Sequence, residues 1–178
     1  MALARRHEIE GAAMFPDKLN LRVAALIETC RGKRLKVACA ESCTGGLLSG
    51  LLTEIAGSSA VFERGFVVYS NEAKQDLLGV SPGALRDYGA VSSETARAMA
   101  AGALARSLSD IAVSITGIAG PDGGTPQKPV GLVHFACATT DGALEEAEGR
   151  YGEIGRAAIR LAAVETALGL LEKAAAKI

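Results

Sequence analysis

The sequence predicts an α/β fold: a three-layer α/β/α sandwich around a mixed, mostly parallel sheet of about five strands. Three observations carry that expectation. Helix-period and strand-like segments alternate along nearly all of the 178 residues. The segments Leu35–Ala40 and Asp110–Thr116 are short runs dominated by apolar residues, the pattern of strands covered on both faces. Asp141-Gly142 is a strong hairpin signal, so the sheet takes one antiparallel turn near its end.

The elements follow in order. Pro16 and Asp17 open a helix to about Arg31, with Leu19, Val23, Ile27 and Cys30 as its apolar stripe and Gly32 as its stop. After the strand Leu35–Ala40, residues Gly46–Ile55 read as a helix ended by Ala56-Gly57-Ser58-Ser59. Val61–Ser70 contains Phe62, Phe66, Val67, Val68 and Tyr69, a strand composition. Asn71–Leu78 is a short helix stopped by Gly79, and Ser81-Pro82 starts another with proline at its first position. Ser92 or Ser93 caps the Ala-rich helix Glu94–Leu108; Ser92-x-x-Thr95 lacks the acidic partner of a capping box, so the cap rests on serine alone. Asp110–Thr116 is a strand, Gly117–Pro129 a long Gly/Pro loop, Gly131–Thr139 a strand and Ala143–Arg150 its antiparallel partner. A last helix spans about Ile154–Lys173, with Ile154, Ala158, Leu161, Leu168 and Leu171 at helical spacing. Residues 1–14 read as a tail and 15–178 as one domain.

Composition excludes several function classes. Nineteen Lys and Arg balance twenty Asp and Glu, for a net charge of -1, which leaves no electrostatic footprint for nucleic acid. Tryptophan is absent and aromatics make up 4%, too few for a base-stacking platform. The four cysteines form no Cys-x-x-Cys pair and there are two histidines, so neither a metal site nor a disulfide framework is expected and the chain reads as reduced and cytoplasmic. No stretch approaches a membrane span. The apolar bias and the Ala-rich helices suggest a buried interface, hence a homodimer or larger assembly.

Three loops fall after strand ends: Glu41–Gly46, Ser70–Lys74 and Gly117–Gly124. In open α/β sheets ligand sites gather outside the carboxyl ends of strands, so these loops are expected to converge on one pocket. The first offers Ser42 and Thr44, either of them a nucleophile, a phosphate ligand or an ordinary helix cap. Gly45 and Gly46 permit close backbone approach, and N–H groups at a helix start suit an anion or developing oxyanion.

The second loop carries Tyr69 and Lys74. A lysine can lower a phenol's pKa, and a desolvated lysine can itself be a base; the plainer alternative is a packed tyrosine and a solvated lysine. Their offset of five residues does not fit the four-residue Tyr-Lys pattern of short-chain dehydrogenases. The third loop brings Thr116, Gly117, Gly120, Asp122, Gly123 and Gly124, with N–H groups available for an anion or carbonyl and no Gly-Lys-Ser/Thr of a Walker A loop. Its length without regular structure favours function over a simple turn. Glu41 and Asp122 are available as a carboxylate pair. There is no Ser-x-x-Lys at Ser42, no Gly-x-Ser-x-Gly elbow and no His-Glu-x-x-His, and His134 lies inside a strand segment.

Together these segments resemble the CinA C-terminal domain family, some of whose members are stand-alone nicotinamide mononucleotide amidohydrolases. The matching stretches are AESCTGG (40–46), AGSSAVFERGFVVYSNEAKQDLLGV (56–80), GAVSSETA (89–96), SITGIAGPDGG (114–124) and KPVGLVHFA (128–136), in a match from about residue 17 to 172. Longer members carry a further N-terminal domain, and this chain is expected to be the stand-alone form. It departs from the family at residues 1–14 and where a Gly-Asp-Arg motif is replaced by Gly152-Glu153-Ile154-Gly155-Arg156.

The resemblance implies a metal- and cofactor-free hydrolysis of nicotinamide mononucleotide to nicotinate mononucleotide and ammonia. It implies Ser42 as the nucleophile of an acyl-enzyme, with Tyr69 and Lys74 as its activating partners. Either a Tyr69 phenolate held by Lys74 or neutral Lys74 itself takes the serine proton. Thr44, Gly45, Gly46 and the residues Thr116 to Gly124 are the candidates for the phosphate and the amide. The alternatives are a non-catalytic pyridine-nucleotide-binding or regulatory module, and a different amidase or phosphate-ester hydrolase on the same site.

Overall fold

Short apolar strands can only be satisfied by a sheet covered on both sides, and that is what forms. In the computed structural model, which describes residues 14–178, the elements run α1 (Asp17–Lys33), β1 (Val37–Glu41), α2 (Leu47–Thr53), β2 (Phe62–Val67), α3 (Asn71–Leu78), α4 (Pro82–Tyr88), α5 (Ser93–Ala105), β3 (Ile111–Gly117), β4 (Leu132–Thr139), β5 (Leu144–Arg150) and α6 (Arg156–Lys177). The tail expected from the sequence lies, but for Met14, outside the described residues. The five-stranded sheet has the order β2-β1-β3-β4-β5. β1 pairs in parallel with both β2 and β3, while β4 runs against β3 and β5 against β4. Four strands thus share one direction and β4 alone opposes them.

The two sheet faces differ in residue size. Val37, Cys39, Val113, Ile115, Val133, Phe135 and Cys137 point to one face, where they pack with α1, α2 and α6 in the main core. Ala38, Ala40, Ala112, Ala136 and Ala138 point to the other, under the helices α3–α5. Small side chains let Ala-rich α5 lie close to the sheet, and Ser114 Oγ donates to the Ala96 carbonyl at 2.6 Å across that contact. A Cβ on Gly102 of α5 would come within 2.0 Å of the Leu78 carbonyl oxygen, so only glycine permits the approach of α5 to the end of α3.

The strand order creates the site. From β1 the chain crosses over α2 to β2 on one side; from β2 it crosses over α3–α5 to β3 on the other. The carboxyl ends of β1 and β3 therefore lie at a switch in strand order, where a crevice opens.

Some boundaries differ from the sequence expectations. Gly32 lies inside α1; the chain turns instead at Arg34, which adopts φ 59 and returns its N–H to the Cys30 and Arg31 carbonyls. β2 stops at Val67 and Ser70 caps α3, accepting the Ala73 N–H at 3.0 Å. α5 ends at Ala105, where the Arg106 N–H closes onto the Gly102 carbonyl. α6 starts at Arg156 because Gly155, at φ 95, cannot belong to a right-handed helix. Ser92 is the α5 cap, accepting the Thr95 N–H at 3.2 Å. None of the helices among the described residues is long and apolar enough to cross a membrane.

Candidate active site

The first strand delivers the serine. Ser42 continues the β1–β3 pairing by donating its N–H to the Ile115 carbonyl at 2.9 Å, and the chain then turns sharply, with the Gly45 N–H on the Ser42 carbonyl at 3.1 Å. Gly45 and Gly46 hold φ 60 and 96, a left-handed pair that side chains would strain. Ser42 sits at the base of a cavity of about 200 Å³ that it shares with Cys43, Tyr69, Lys74, Thr116, Gly117 and Arg156 among others.

Lys74 is the buried partner of that serine. It lies one turn into α3, only 1% exposed, and its Nζ is hydrogen-bonded to Ser42 Oγ at 3.0 Å within a cage of the carbonyls of Val68 (2.9 Å), Tyr69 (3.2 Å) and Ser70 (3.4 Å), which share its N–H groups. The loop before α3 thus wraps the amine it supplies. Burial pulls the Lys74 pKa below its ordinary 10.5, with Cys43 and Glu72 acting weakly the other way. A lysine so placed can lose its proton and become a base at a serine hydroxyl. Cys43, beside the serine, is no competing nucleophile: burial pushes its thiol up to about 11, so it stays protonated at neutral pH.

The Tyr69 phenol stands elsewhere. Its side chain is 61% exposed at the cavity rim, and Arg156 Nη2 donates to its hydroxyl at 3.3 Å. Only its backbone carbonyl reaches Lys74. Just past the end of β2, Val68 still donates its N–H to the Glu41 carbonyl at 2.8 Å and is wholly buried on the α3–α5 side, so the next side chain, Tyr69, leaves on the other side.

The N-terminus of α2 corrects a second expectation. Its N–H groups do not face the cavity as an anion site, because the Glu41 side chain caps them. The N–H groups of Gly46 and Leu48 donate to Oε2 at 3.1 Å each, and Ser49 gives its N–H (2.8 Å) and Oγ (2.7 Å) to Oε1. Glu41 is wholly buried and fully used, so it forms no carboxylate pair with exposed Asp122. Gly46 is thereby removed as a donor to substrate. The N–H groups of Cys43 and Thr44, in contrast, bond to no other described residue, with the Cys43 N–H beside its own thiol, and they follow directly on the serine.

The remaining candidates divide. Thr44 is wholly buried, its Oγ1 has no partner among the described residues, and it is not among the residues that line the cavity. Thr116 and Gly117 line the cavity, with Thr116 Oγ1 donating to the Ala90 carbonyl at 2.6 Å. The Gly120 carbonyl accepts from Arg156 Nη1 at 2.8 Å. Asp122, Gly123 and Gly124 line a neighbouring recess with Val130 and Glu153. A small hollow bounded by Ala119, Val130, Glu153 and Arg156 connects the two, sharing residues with each.

Arg160 is the residue that sequence reasoning missed; it lies on α6 one turn beyond Arg156, which the sequence placed in the altered Gly-Asp-Arg segment without a role. Arg160 Nη2 donates to the Thr44 carbonyl at 2.8 Å. Two arginines in the first turns of a helix oppose its dipole, and that opposition was the available signal. Among the described residues no group of three His, Cys, Asp or Glu side chains is placed to hold a metal ion, and His134 lines a different cavity, its Nδ1 3.8 Å from Glu148 Oε2.

Known proteins of the same construction exist. The chain is similar to nicotinamide-nucleotide amidohydrolase PncC of Enterobacter agglomerans, 49% identical over 146 residues that cover 82% of this chain and 87% of that one. A Caldicellulosiruptor bescii protein named for competence-damage induction is 56% identical over 141 residues, 79% of this chain; that protein is longer, and the match spans 34% of it. The crystal structure of competence/damage inducible protein CihA from Agrobacterium tumefaciens superposes with a TM-score of 0.89 at 53% identity, covering 90% of this chain and 97% of that one. Residues 20–175 match the model of the CinA C-terminal domain, and the chain belongs to that family.

Proposed function

We propose that this protein hydrolyses the carboxamide of nicotinamide mononucleotide, releasing ammonia and nicotinate mononucleotide through an acyl-enzyme on Ser42. The observation that carries this reading is the buried Lys74 amine 3.0 Å from Ser42 Oγ inside a cavity; similarity to the Enterobacter agglomerans amidohydrolase supports the substrate.

Neutral Lys74 accepts the hydroxyl proton as Ser42 Oγ bonds to the carboxamide carbon. The carbonyl electrons move onto oxygen, and the N–H groups of Cys43 and Thr44, which bond to no other described residue, receive that oxyanion. The Lys74 ammonium then gives its proton to the amide nitrogen, the C–N bond breaks and ammonia leaves. Water attacks the ester with its proton passing to Lys74, and Ser42 departs as the hydroxyl. Proton inventory closes on one water consumed per ammonia released. Arg156, at the cavity rim, is the cation available to the substrate phosphate, with the Gly117–Gly124 loop beside it.

Ammonia release from nicotinamide mononucleotide without added metal is the direct test. Ser42→Ala is expected to abolish it while nicotinamide mononucleotide still binds. Full turnover by Ser42→Ala would overturn the serine mechanism, and tight binding by the wild type with no ammonia would favour the non-catalytic binding module instead.

Tyr69→Phe separates the two candidate bases. The phenol touches Arg156 and not Lys74, so this variant is expected to lose far less than the roughly 100-fold that marks the loss of a general base. A loss of that size in kcat would restore the phenolate mechanism.

A further inference from the structure

Beside the nucleophile turn, and not among the residues that line the substrate cavity, lies a cation that the reaction above does not use. Arg160 is half-buried on α6. Its Nη2 donates to the Thr44 carbonyl at 2.8 Å. Its Nε is buried with no partner among the described residues, as is Thr44 Oγ1. Keeping an incompletely bonded guanidinium there is costly, and near the start of a helix its charge also opposes the dipole. Packing alone gives no reason for a charged group at this position.

The backbone of the turn supplies one. The Thr44 carbonyl belongs to the same peptide unit as the Gly45 N–H, and that N–H donates to the Ser42 carbonyl at 3.1 Å. The Ser42 carbonyl belongs in turn to the same peptide unit as the Cys43 N–H, which bonds to no other described residue and has only its own thiol beside it. An unbroken chain of two peptide units therefore runs from the guanidinium to one of the N–H groups beside the nucleophile. Hydrogen bonds in series polarise one another, more so at low dielectric. A full positive charge at the far end makes the N–H at the near end a stronger donor. Thr44 also accepts the Leu47 N–H at 3.3 Å, which fixes the carbonyl between helix and guanidinium. The same charge is felt at Cys43, where Arg160 pulls the thiol pKa down against the larger effect of burial.

We propose that Arg160 is a positioning residue for the oxyanion: through Thr44, Gly45 and Ser42 it orients and polarises the Cys43 N–H toward the charge that develops on the substrate carboxamide. Arg160 acts only when that charge appears. It should leave ground-state binding of substrate and product alone and favour the tetrahedral state. This role rests on Ser42 being the nucleophile.

The test compares Arg160→Gln, which can keep a neutral hydrogen bond to Thr44, with Arg160→Lys, which keeps the charge. Each is assayed for ammonia release from nicotinamide mononucleotide. Each is also assayed for binding of nicotinate mononucleotide and of the aldehyde analogue of the substrate, which adds Ser42 Oγ to form a tetrahedral hemiacetal. In Arg160→Gln, kcat is expected to fall roughly 10- to 100-fold, less than the loss of a whole oxyanion donor. KM and product affinity should hold, and aldehyde affinity should fall by the same factor as kcat. Arg160→Lys should recover most of both.

Wild-type kcat in Arg160→Gln would overturn the proposal. So would a kcat loss with unchanged aldehyde affinity, or a change confined to KM. If Arg160→Gln does not fold, Arg160→Ala assayed with and without added guanidinium carries the same comparison, and absence of rescue counts against the role. The Ser42→Ala control separates the two layers. Activity retained there refutes the serine nucleophile itself, whereas an inactive Ser42→Ala beside an unaffected Arg160→Gln refutes only the relay.

Discussion

Replacing Lys74 with methionine is expected to lower kcat for ammonia release by roughly 100- to 10,000-fold, the range a general base supplies. KM should change less than kcat, because every hydrogen bond that Nζ makes goes to Ser42 or to a backbone carbonyl. The base must be neutral to act, and burial holds its pKa below 10.5. The wild-type kcat/KM should therefore rise with pH as Lys74 loses its proton, and Lys74→Met should lack that limb.

Stability carries a matching signature. Between the lowered folded-state pKa and 10.5 the unfolded chain holds the lysine proton that the folded chain has lost, so stability rises with pH across that window. Urea unfolding at pH values across the alkaline range should show the wild type gaining relative to Lys74→Met. Unchanged kcat in the variant, or parallel stability curves for the two proteins, would exclude Lys74 as the neutral base.

Glu41→Ala is the second large effect, and it acts on stability first. The variant strips the acceptor from three N–H groups at the start of α2 and from Ser49 Oγ. Each donor left buried and unpaired costs about 1–3 kcal/mol. Water entering the space relieves part of this, so a loss of about 3 kcal/mol or more in chemical denaturation is expected. Glu41→Gln keeps the shape and one acceptor oxygen and should fall in between. Because Glu41 holds the far end of the turn that presents Ser42, kcat should drop in both variants even where they remain folded. A Glu41→Ala protein as stable as wild type would mean that α2 finds another cap.

The alternation of segments, the turn signals and the apolar runs were sufficient for the layered α/β fold, because each depends on local backbone preference and on the period of burial. The elements of the site were legible to different degrees. Ser42 stood out because a serine before two glycines at a strand end is conspicuous locally. Lys74 is a candidate base from its loop, but a solvated charge is the plainer expectation, since nothing in its local sequence says that a helix lysine is buried; its pairing with Ser42 comes from the family resemblance.

Nearness in sequence and the family resemblance both pair Tyr69 with Lys74, but the burial of Val68 just past β2 turns the next side chain, the phenol, outward. Glu41 could not be read as a cap from spacing. The usual cap bonds an N–H two or three residues ahead, whereas this carboxylate reaches residues five to eight ahead after the turn folds α2 back over it.

The sequence by itself determined which residues form the strands and helices and which turn carries the serine. The strand order decided the rest. Crossing to β2 over one face and back to β3 over the other set the ends of β1 and β3 at the crevice. It also brought Lys74 across 32 residues to Ser42 and Arg160 across 116 residues to Thr44. Such contacts follow from the path of the chain through space, and no local propensity encodes them.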